Sequence, residues 1–397
     1  MTRSLVHTLL PPSASAGLVN TESVIAGTQE LGPASRRPDP SPAAAGLDRL
    51  RAAVSGALAE FLDRQRETLA AMDPSLVPVV DEVAALAEGG KRLRPAFAYW
   101  GWRGASGGTG EDDAAVLRAV AALEFVHASA LVHDDVMDGA QTRRGRPATH
   151  IGFAARHGGE DLDGDGDAFG TGAAILVGDL ALVWSDELLG RSGLSPAALT
   201  RARGVWDTMR TEVTAGQYLD LLRAAGGLPG PQGALTVARY KSAGYTVQRP
   251  LQLGAAIAGA GAETLEAGTA IGLPLGEAFQ LRDDVLGVFG DPAVTGKSAD
   301  DDLREGKRTL LVAVAEERAD EAGRALLRDL LGNADAGPED FDALRRLMET
   351  TGARARVEER ITDRTALARA AIAAAPLTAD ARAALDALAV AATSRTA

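Results

Sequence analysis

The chain has 397 residues, 46% of them hydrophobic and only 4% aromatic, with a formal net charge of −13 and no cysteine. A chain this acidic lacks the basic stripe that duplex nucleic acid requires. Without cysteine there is no disulfide, thiolate metal site or cysteine nucleophile, which fits a reducing cytoplasm.

Ala and Leu dominate the apolar residues, both strong helix formers with low strand preference, so composition predicts an all-α fold. No run approaches the roughly 18 apolar residues of a membrane span, so no transmembrane segment is expected. Residues 1–10, broken by Arg3 and His7 and followed by Pro11 and Pro12, are too weak for a secretory signal.

Residues 1–45 are rich in Pro, Ser, Ala and Gly without periodicity and read as a disordered leader, leaving 46–397 as one helical domain. Leu47, Leu50, Val54, Leu58, Phe61 and Leu62 follow helical spacing, predicting a helix to Met72. A second helix runs over about 78–88 and stops at Gly89-Gly90. Helices then follow at about 92–104, 111–139, 171–190, 196–224, 233–243, 245–260, 263–290, 307–318, 320–332, 338–350 and 352–393, the last broken near Pro376. No strand series or solenoid repeat is visible. The segment 158–170 contains Asp161, Asp163 and Asp165 before Gly166, like the opening of a calcium loop. Position twelve of such a loop would be Gly172 where a bidentate Glu is needed, so the segment reads as a solvated loop.

Chemistry concentrates in three places. In the stretch 122–147, Asp134 and Asp138 are four apart and Asp135 and Asp138 three apart, so a helix brings them to one side. Carboxylates near a helix C-terminus repel each other and oppose the macrodipole unless a cation neutralises them. Their hard oxygens suit Mg²⁺, which commonly bridges a few carboxylates and substrate phosphates. Arg143 and Arg144 follow, and guanidinium is suited to forked phosphate contacts. In the stretch 279–309, Asp283 and Asp284 lie in an apolar helix, followed by Lys297 and Lys307, each preceded by Gly. In GGKRLRP (89–95), two glycines, Lys91, Arg92, Arg94 and a helix start suit an anion. Taken singly, each element could also be a surface ion-pair network or a capping loop with solvated charges.

In combination, GGKRLRP, the block from His127 through DDVMD to RRGRP, Gly178-Asp179, Lys241-Ser242 and the FQLRDD-to-GK block resemble the trans-isoprenyl diphosphate synthase (polyprenyl synthetase) family over about residues 47–390. The resemblance implies a single large helical bundle with a central cavity, and a prenyltransferase that joins isopentenyl diphosphate to an allylic diphosphate. It implies Mg²⁺, three ions per site, held by Asp134, Asp135 and Asp138 from one side and Asp283 from the other, with Asp284 and Gln280 in the same shell or its support. Arg143, Lys241, Lys297 and Lys307 would grip the allylic diphosphate, with Ser242 beside Lys241 in place of the commoner Thr. Lys91, Arg94, His127 and Arg144 would bind isopentenyl diphosphate. On physics alone His127 could equally be a core histidine. The second motif is usually DDxxD. Here its third acid is Gly287, and Asp291 lies four residues further on.

The growing tail would pass Ala130, Ser129 and Val126. None is aromatic, which argues for a product longer than C15, and Trp184 or a neighbour could supply a floor. Similarity to bacterial geranylgeranyl diphosphate synthases makes C20 the first expectation, and a homodimer is expected from the family. The nearest rival is a class I terpene cyclase. It would carry an Asn/Asp, Ser/Thr, Glu triad instead of a second Asp pair, and would lack GGKRLRP. A non-catalytic regulatory subunit would tend to lose the Asp clusters.

Overall fold

The computed structural model describes residues 42–291 and 299–394. Most of the predicted leader therefore lies outside the described residues. The first helix, α1, spans Pro42–Met72 and begins slightly before the expected boundary. A 3₁₀ turn capped by Asp73 leads into α2 (Val77–Ala87), followed by α3 (Leu93–Ser106) and α4 (Asp113–Asp138). Asp112 caps α4, accepting from Ala115 N at 3.1 Å, and Gly139 ends it in the left-handed region.

Two short elements were not expected. Thr142–Arg143 and Arg146–Pro147 form a two-stranded antiparallel hairpin. Its turn residues, Arg144 and Gly145, have φ of 52° and 74°, the double positive φ of a type I′ turn, whose twist matches the flanking strands. The helix α5 (Thr149–Gly159) follows; its N-cap is Ala148, which offers no side-chain cap to betray it in the sequence.

The acidic segment is shorter than its sequence suggested, because α6 (Gly166–Gly190) begins inside it. The Asp165 carboxylate caps α6, accepting from Asp167 N and Ala168 N. The next helix, α7 (Pro196–Ala224), is capped by Ser195 with Pro at its first position.

The two helices expected on either side of Gly244 are one continuous run instead. They form α8 (Gly230–Val237), a π-helical segment (Ala238–Gln248) and α9 (Arg249–Ile257). The physical reason is Pro250, which has no N–H and whose ring crowds the preceding turn. The backbone widens, and Arg249 N–H bonds Gly244 O, five residues back.

The long α10 (Ala262–Phe289) carries the second acidic pair. After it come α11 (Asp301–Arg304), α12 (Leu310–Arg318), α13 (Glu321–Leu330), α14 (Pro338–Thr350), α15 (Ala353–Ala374) and α16 (Ala379–Thr393). The interruption around Pro376 is where proline predicted it.

Two apolar clusters hold these helices together. The larger joins α1–α7, α9, the first half of α10, the end of α15 and α16 around Phe61, Phe97, Phe125, Trp102 and Trp206. The smaller gathers the second half of α10 with α11–α15 around Leu311, Phe341 and Met348. By length and hydropathy α4 and α6 could each cross a membrane, which a count of uninterrupted apolar residues had not revealed. They pack on each other, and 72% of the most apolar window of α4 is buried, so α4 is a core helix. In α6 the figure is 39%, because one apolar side faces outward.

Candidate active site

Along α4, His127, Ala130, Leu131, Asp134 and Asp138 are partly open, while Val126, Ala128, Ser129 and Val132 are buried. These spacings of three, four and seven define one helical face, leading from His127 up to the acids. Ala130 thus lies below Asp134 on the open face. Ser129 and Val126, expected along the same path, turn into the core.

Asp134 Oδ1 accepts from Lys241 Nζ at 2.7 Å and Gln217 Nε2 at 2.8 Å. Burial pushes its carboxyl up, but the Lys241 ammonium, aided by Lys307 and Gln217, overrides this and leaves it below the usual range. Lys241 Nζ also reaches Asp220 Oδ2 at 2.6 Å. Burial would lower this lysine, but the two carboxylates raise it, so it stays charged. Asp138 has the opposite fate: burial and the neighbouring Asp134 charge push it up to about 6. Two hard carboxylates, four apart on one helix face and one strained by the other, fit a divalent cation that also takes phosphate and water oxygens.

Asp135 points elsewhere. Its side chain is 1% exposed. Arg143 donates to it from Nε at 2.9 and 3.0 Å, and from Nη2. This forked pair locks the hairpin onto the end of α4. Arg144, at the turn, donates from Nη1 to the carbonyls of Leu86 at 3.3 Å and Glu88 at 3.1 Å, satisfying the end of α2.

GGKRLRP divides its cations. Arg92 takes a left-handed backbone and pairs with buried Glu124 at 2.6 Å, so its charge is committed to the fold and not to an incoming anion. Lys91 is exposed beside it. Arg94 lies over the Tyr245 ring, 4.4 Å from its centroid, and donates to Tyr245 Oη at 2.6 Å and Thr246 Oγ1 at 3.2 Å. The same hydroxyl lies 3.3 Å from His127 Nδ1. Burial, with the charges of Arg94 and Arg144, drives the His127 pKa well down, so its ring is neutral. Tyr245 therefore bridges two residues predicted to share a ligand, though sequence reasoning had missed it.

On α10, Gln280 Nε2 donates to Asp284 Oδ1 at 2.7 Å. Burial still pushes Asp284 up to about 7 against that hydrogen bond, with Asp302 and Asp283 adding to the effect. Asp283 and Ser242 are half-buried. Lys297 lies outside the described residues. Lys307 Nζ is 2.8 Å from Glu305 Oε2 and 3.2 Å from Asp302 Oδ1. Burial opposes its charge, but these carboxylates and Asp138 raise it. The Lys307 charge acts to lower both Asp134 and Asp138, so the lysine that follows the second acidic block lies within electrostatic reach of the first. Among the described residues no three acidic or histidine side chains close on one point as a metal cage.

The Gly178-Asp179 pair has a packing explanation. A Cβ at Gly178 would collide with the His133 ring, and Asp179 Oδ1 lies 3.5 Å from His133 Nε2. His133 also bonds Ile175 O at 3.2 Å, which fixes α6 against the acidic end of α4. Gln217 and Asp220 were likewise missed, although their spacing of three places both on one face of α7.

With this geometry in view, comparison with known proteins gives a consistent answer. The polyprenyl synthetase family model matches residues 79–348. A geranylfarnesyl diphosphate synthase from Aeropyrum pernix is 34% identical over 268 residues, 67% of this chain and 77% of that protein. A geranylgeranyl diphosphate synthase from Mycobacterium tuberculosis is 32% identical over 314 residues, 77% of this chain and 82% of that protein. The crystal structure of geranylgeranyl pyrophosphate synthase from Corynebacterium glutamicum, complexed with isoprenyl diphosphate and magnesium, superposes with a TM-score of 0.85 at 42% identity, covering 88% of this chain and 99% of that one. The chain belongs to the polyprenyl synthetase family, and it is an all-α prenyltransferase.

Proposed function

We propose that the protein condenses isopentenyl diphosphate with an allylic diphosphate, in a Mg²⁺-dependent reaction that ends at geranylgeranyl diphosphate (C20). The observation that carries this reading is the pairing of Lys241 with Asp134 on the open face of α4, with Lys307, held by Asp302 and Glu305, as the second fixed cation whose charge is felt there. Fixed cations and hard acids at one mouth suit a diphosphate and its metal. Asp134, Asp138 and Asp283 are the residues assigned to Mg²⁺, whose bound charge would stabilise the departing diphosphate. Asp135, buried under Arg143, serves to hold that guanidinium in place.

This chain's side chains have three tasks. Lys241, Lys307 and Arg143 stabilise negative charge as the allylic C1–O bond breaks. Arg94, Lys91, Arg144 and neutral His127 orient isopentenyl diphosphate so that C4 of its double bond attacks the allylic C1, after which the proton on its C2 passes to the diphosphate just released. The buried walls of α4 exclude water from the allylic cation.

Product length follows from the open face. Ala130, on the open face below Asp134, carries no ring that would stop the tail there. Trp184, packed against Phe61 and Phe125 at centroid distances of 6.2 and 6.3 Å, is the residue we assign to the floor of the tail path. The outward side of α6, with Ile175, Leu176 and Val183 exposed, is the surface assigned to a second copy of the chain. We place the enzyme in the cytoplasm. The test is a product assay with isopentenyl diphosphate, Mg²⁺ and C5, C10 or C15 allylic primers, read by mass spectrometry. A C20 diphosphate is expected, and a cyclised hydrocarbon or no product would overturn the reading.

A further inference from the structure

Tyr245 is buried in the π-helical segment, and its hydroxyl oxygen sits between a guanidinium and an imidazole. Arg94 Nη2 lies 2.6 Å from Tyr245 Oη and His127 Nδ1 lies 3.3 Å from it. The proton positions on this chain follow from what each group is able to do. A guanidinium only donates, so Tyr245 Oη accepts from Arg94. The phenol proton is then left to find an acceptor. Among the described residues the one within reach is His127 Nδ1. A buried hydroxyl that donates to nothing forfeits a hydrogen bond, and the adjacent guanidinium charge makes this O–H a better donor. Nδ1 therefore accepts, and in a neutral ring the proton must sit on the other nitrogen, Nε2. The ring is neutral because it is buried and because Arg94, Arg144, Arg143 and Arg92 surround it with positive charge. Nε2 has no hydrogen-bond partner among the described residues, yet it is not one of the enclosed side-chain nitrogens left without one, so it is open to an incoming group.

We propose that Tyr245 is a positioning residue that fixes His127 in its Nε2–H tautomer and so presents that N–H as a donor to the diphosphate of isopentenyl diphosphate. The inference rests on the prenyl diphosphate synthase reading. Arg94, Tyr245 and His127 then form one directed chain, each donating to the next, with its last donor left for the ligand. The cation at its head polarises every bond after it. Arg94 is held for this task by the Tyr245 ring, 4.4 Å from its centroid, and by Thr246 Oγ1 at 3.2 Å.

The experiment labels the histidines of the full chain with ¹⁵N and identifies the His127 nitrogens by their loss in His127→Ala. In ligand-free wild type Nε2 should be protonated and Nδ1 bare but hydrogen-bonded. In Tyr245→Phe the Nδ1 signal should move further from the range of protonated ring nitrogens, because its donor is gone. A wild type protonated on Nδ1, or an Nδ1 signal unchanged in Tyr245→Phe, overturns the proposal. Neither result depends on catalysis. Initial rates supply the second readout. Tyr245→Phe alone should raise KM for isopentenyl diphosphate about tenfold with little change in kcat, and should add little to the loss already present in His127→Ala, since coupled neighbours are not additive. Fully additive losses would mean that the hydroxyl does not act through His127. Tyr245→Phe keeps the ring and its packing, and a purely structural role would lower the melting temperature without moving the Nδ1 signal. Failure of the underlying functional reading would show separately, as a wild type that makes no prenyl diphosphate.

Discussion

Lys241 Nζ lies 2.7 Å from Asp134 Oδ1, although the two residues are 107 positions apart in the chain. Lys241 lies in the π-helical segment, and Asp220 holds it from the other side at 2.6 Å. Asp134→Asn should therefore leave Lys241 anchored and the fold intact while removing a charge at the reacting end. A loss of about 100- to 1,000-fold in kcat is expected, the scale of losing one preorganised electrostatic partner. Steady-state kinetics with a melting curve as control would check it; near wild-type turnover would remove Asp134 from the site.

The acids that oppose each other make stability depend on pH. Asp138 is pushed up to about 6 and Asp284 to about 7, both above the ordinary value of 3.8. The folded state then binds more protons than the unfolded state between these limits, so stability falls as pH rises. The stabilisation is full below about 3.8 and is lost through about 6 for Asp138 and about 7 for Asp284. Ligand-free protein should melt higher at the acid end of that window, relative to an Asp138→Asn/Asp284→Asn variant in which the trend flattens. Mg²⁺ with inorganic diphosphate should stabilise more at alkaline pH, because protons and cations compete for the same oxygens.

Tyr245 touches both Arg94 and His127. Tyr245→Phe keeps the ring under the guanidinium and removes only the hydroxyl. KM for isopentenyl diphosphate should rise about tenfold, since a hydrogen bond to a charged group contributes about 1.5–3 kcal/mol. The allylic KM should stay put. Initial rates with each substrate varied would decide, and a change confined to the allylic substrate would place Arg94 in the wrong half of the site.

Chain length should respond to the open face of α4. Ala130→Phe puts a ring one turn below Asp134 and should shorten the product to C15 or less. Trp184→Leu lowers the aromatic floor and should lengthen it, at a cavity cost of about 2–4 kcal/mol that a melting curve would register. An unchanged product spectrum in both variants would put the tail elsewhere.

The exposed side of α6 predicts a dimer. Leu176 is 66% exposed and Val183 60%, in a helix otherwise packed on the core. Leu176→Glu/Val183→Glu should shift the protein to monomer by light scattering. Wild type that is already monomeric would refute the assignment of this face.

Helix placement was largely legible because it is local. Alternating apolar faces, Ser195-Pro196 at the start of α7 and Gly139 at the end of α4 carry their own physics within a few residues. The π segment was not legible, since Gly244 looked like a stop and the widening arises from Pro250 acting on the turn before it. Nor was α5, whose start has no capping side chain.

The sequence by itself determined that Asp134 and Asp138 share a helix face and that cationic loops follow both acidic blocks. Those facts depend on spacing alone. Only the tertiary structure decided how the charges are apportioned. It turned Asp135 inward to Arg143, committed Arg92 to Glu124, and brought Tyr245 between Arg94 and His127. Each of these depends on which distant element arrives beside a given side chain. A buried charge goes to whatever opposite charge lies within reach, and the order of residues along the chain does not state that distance.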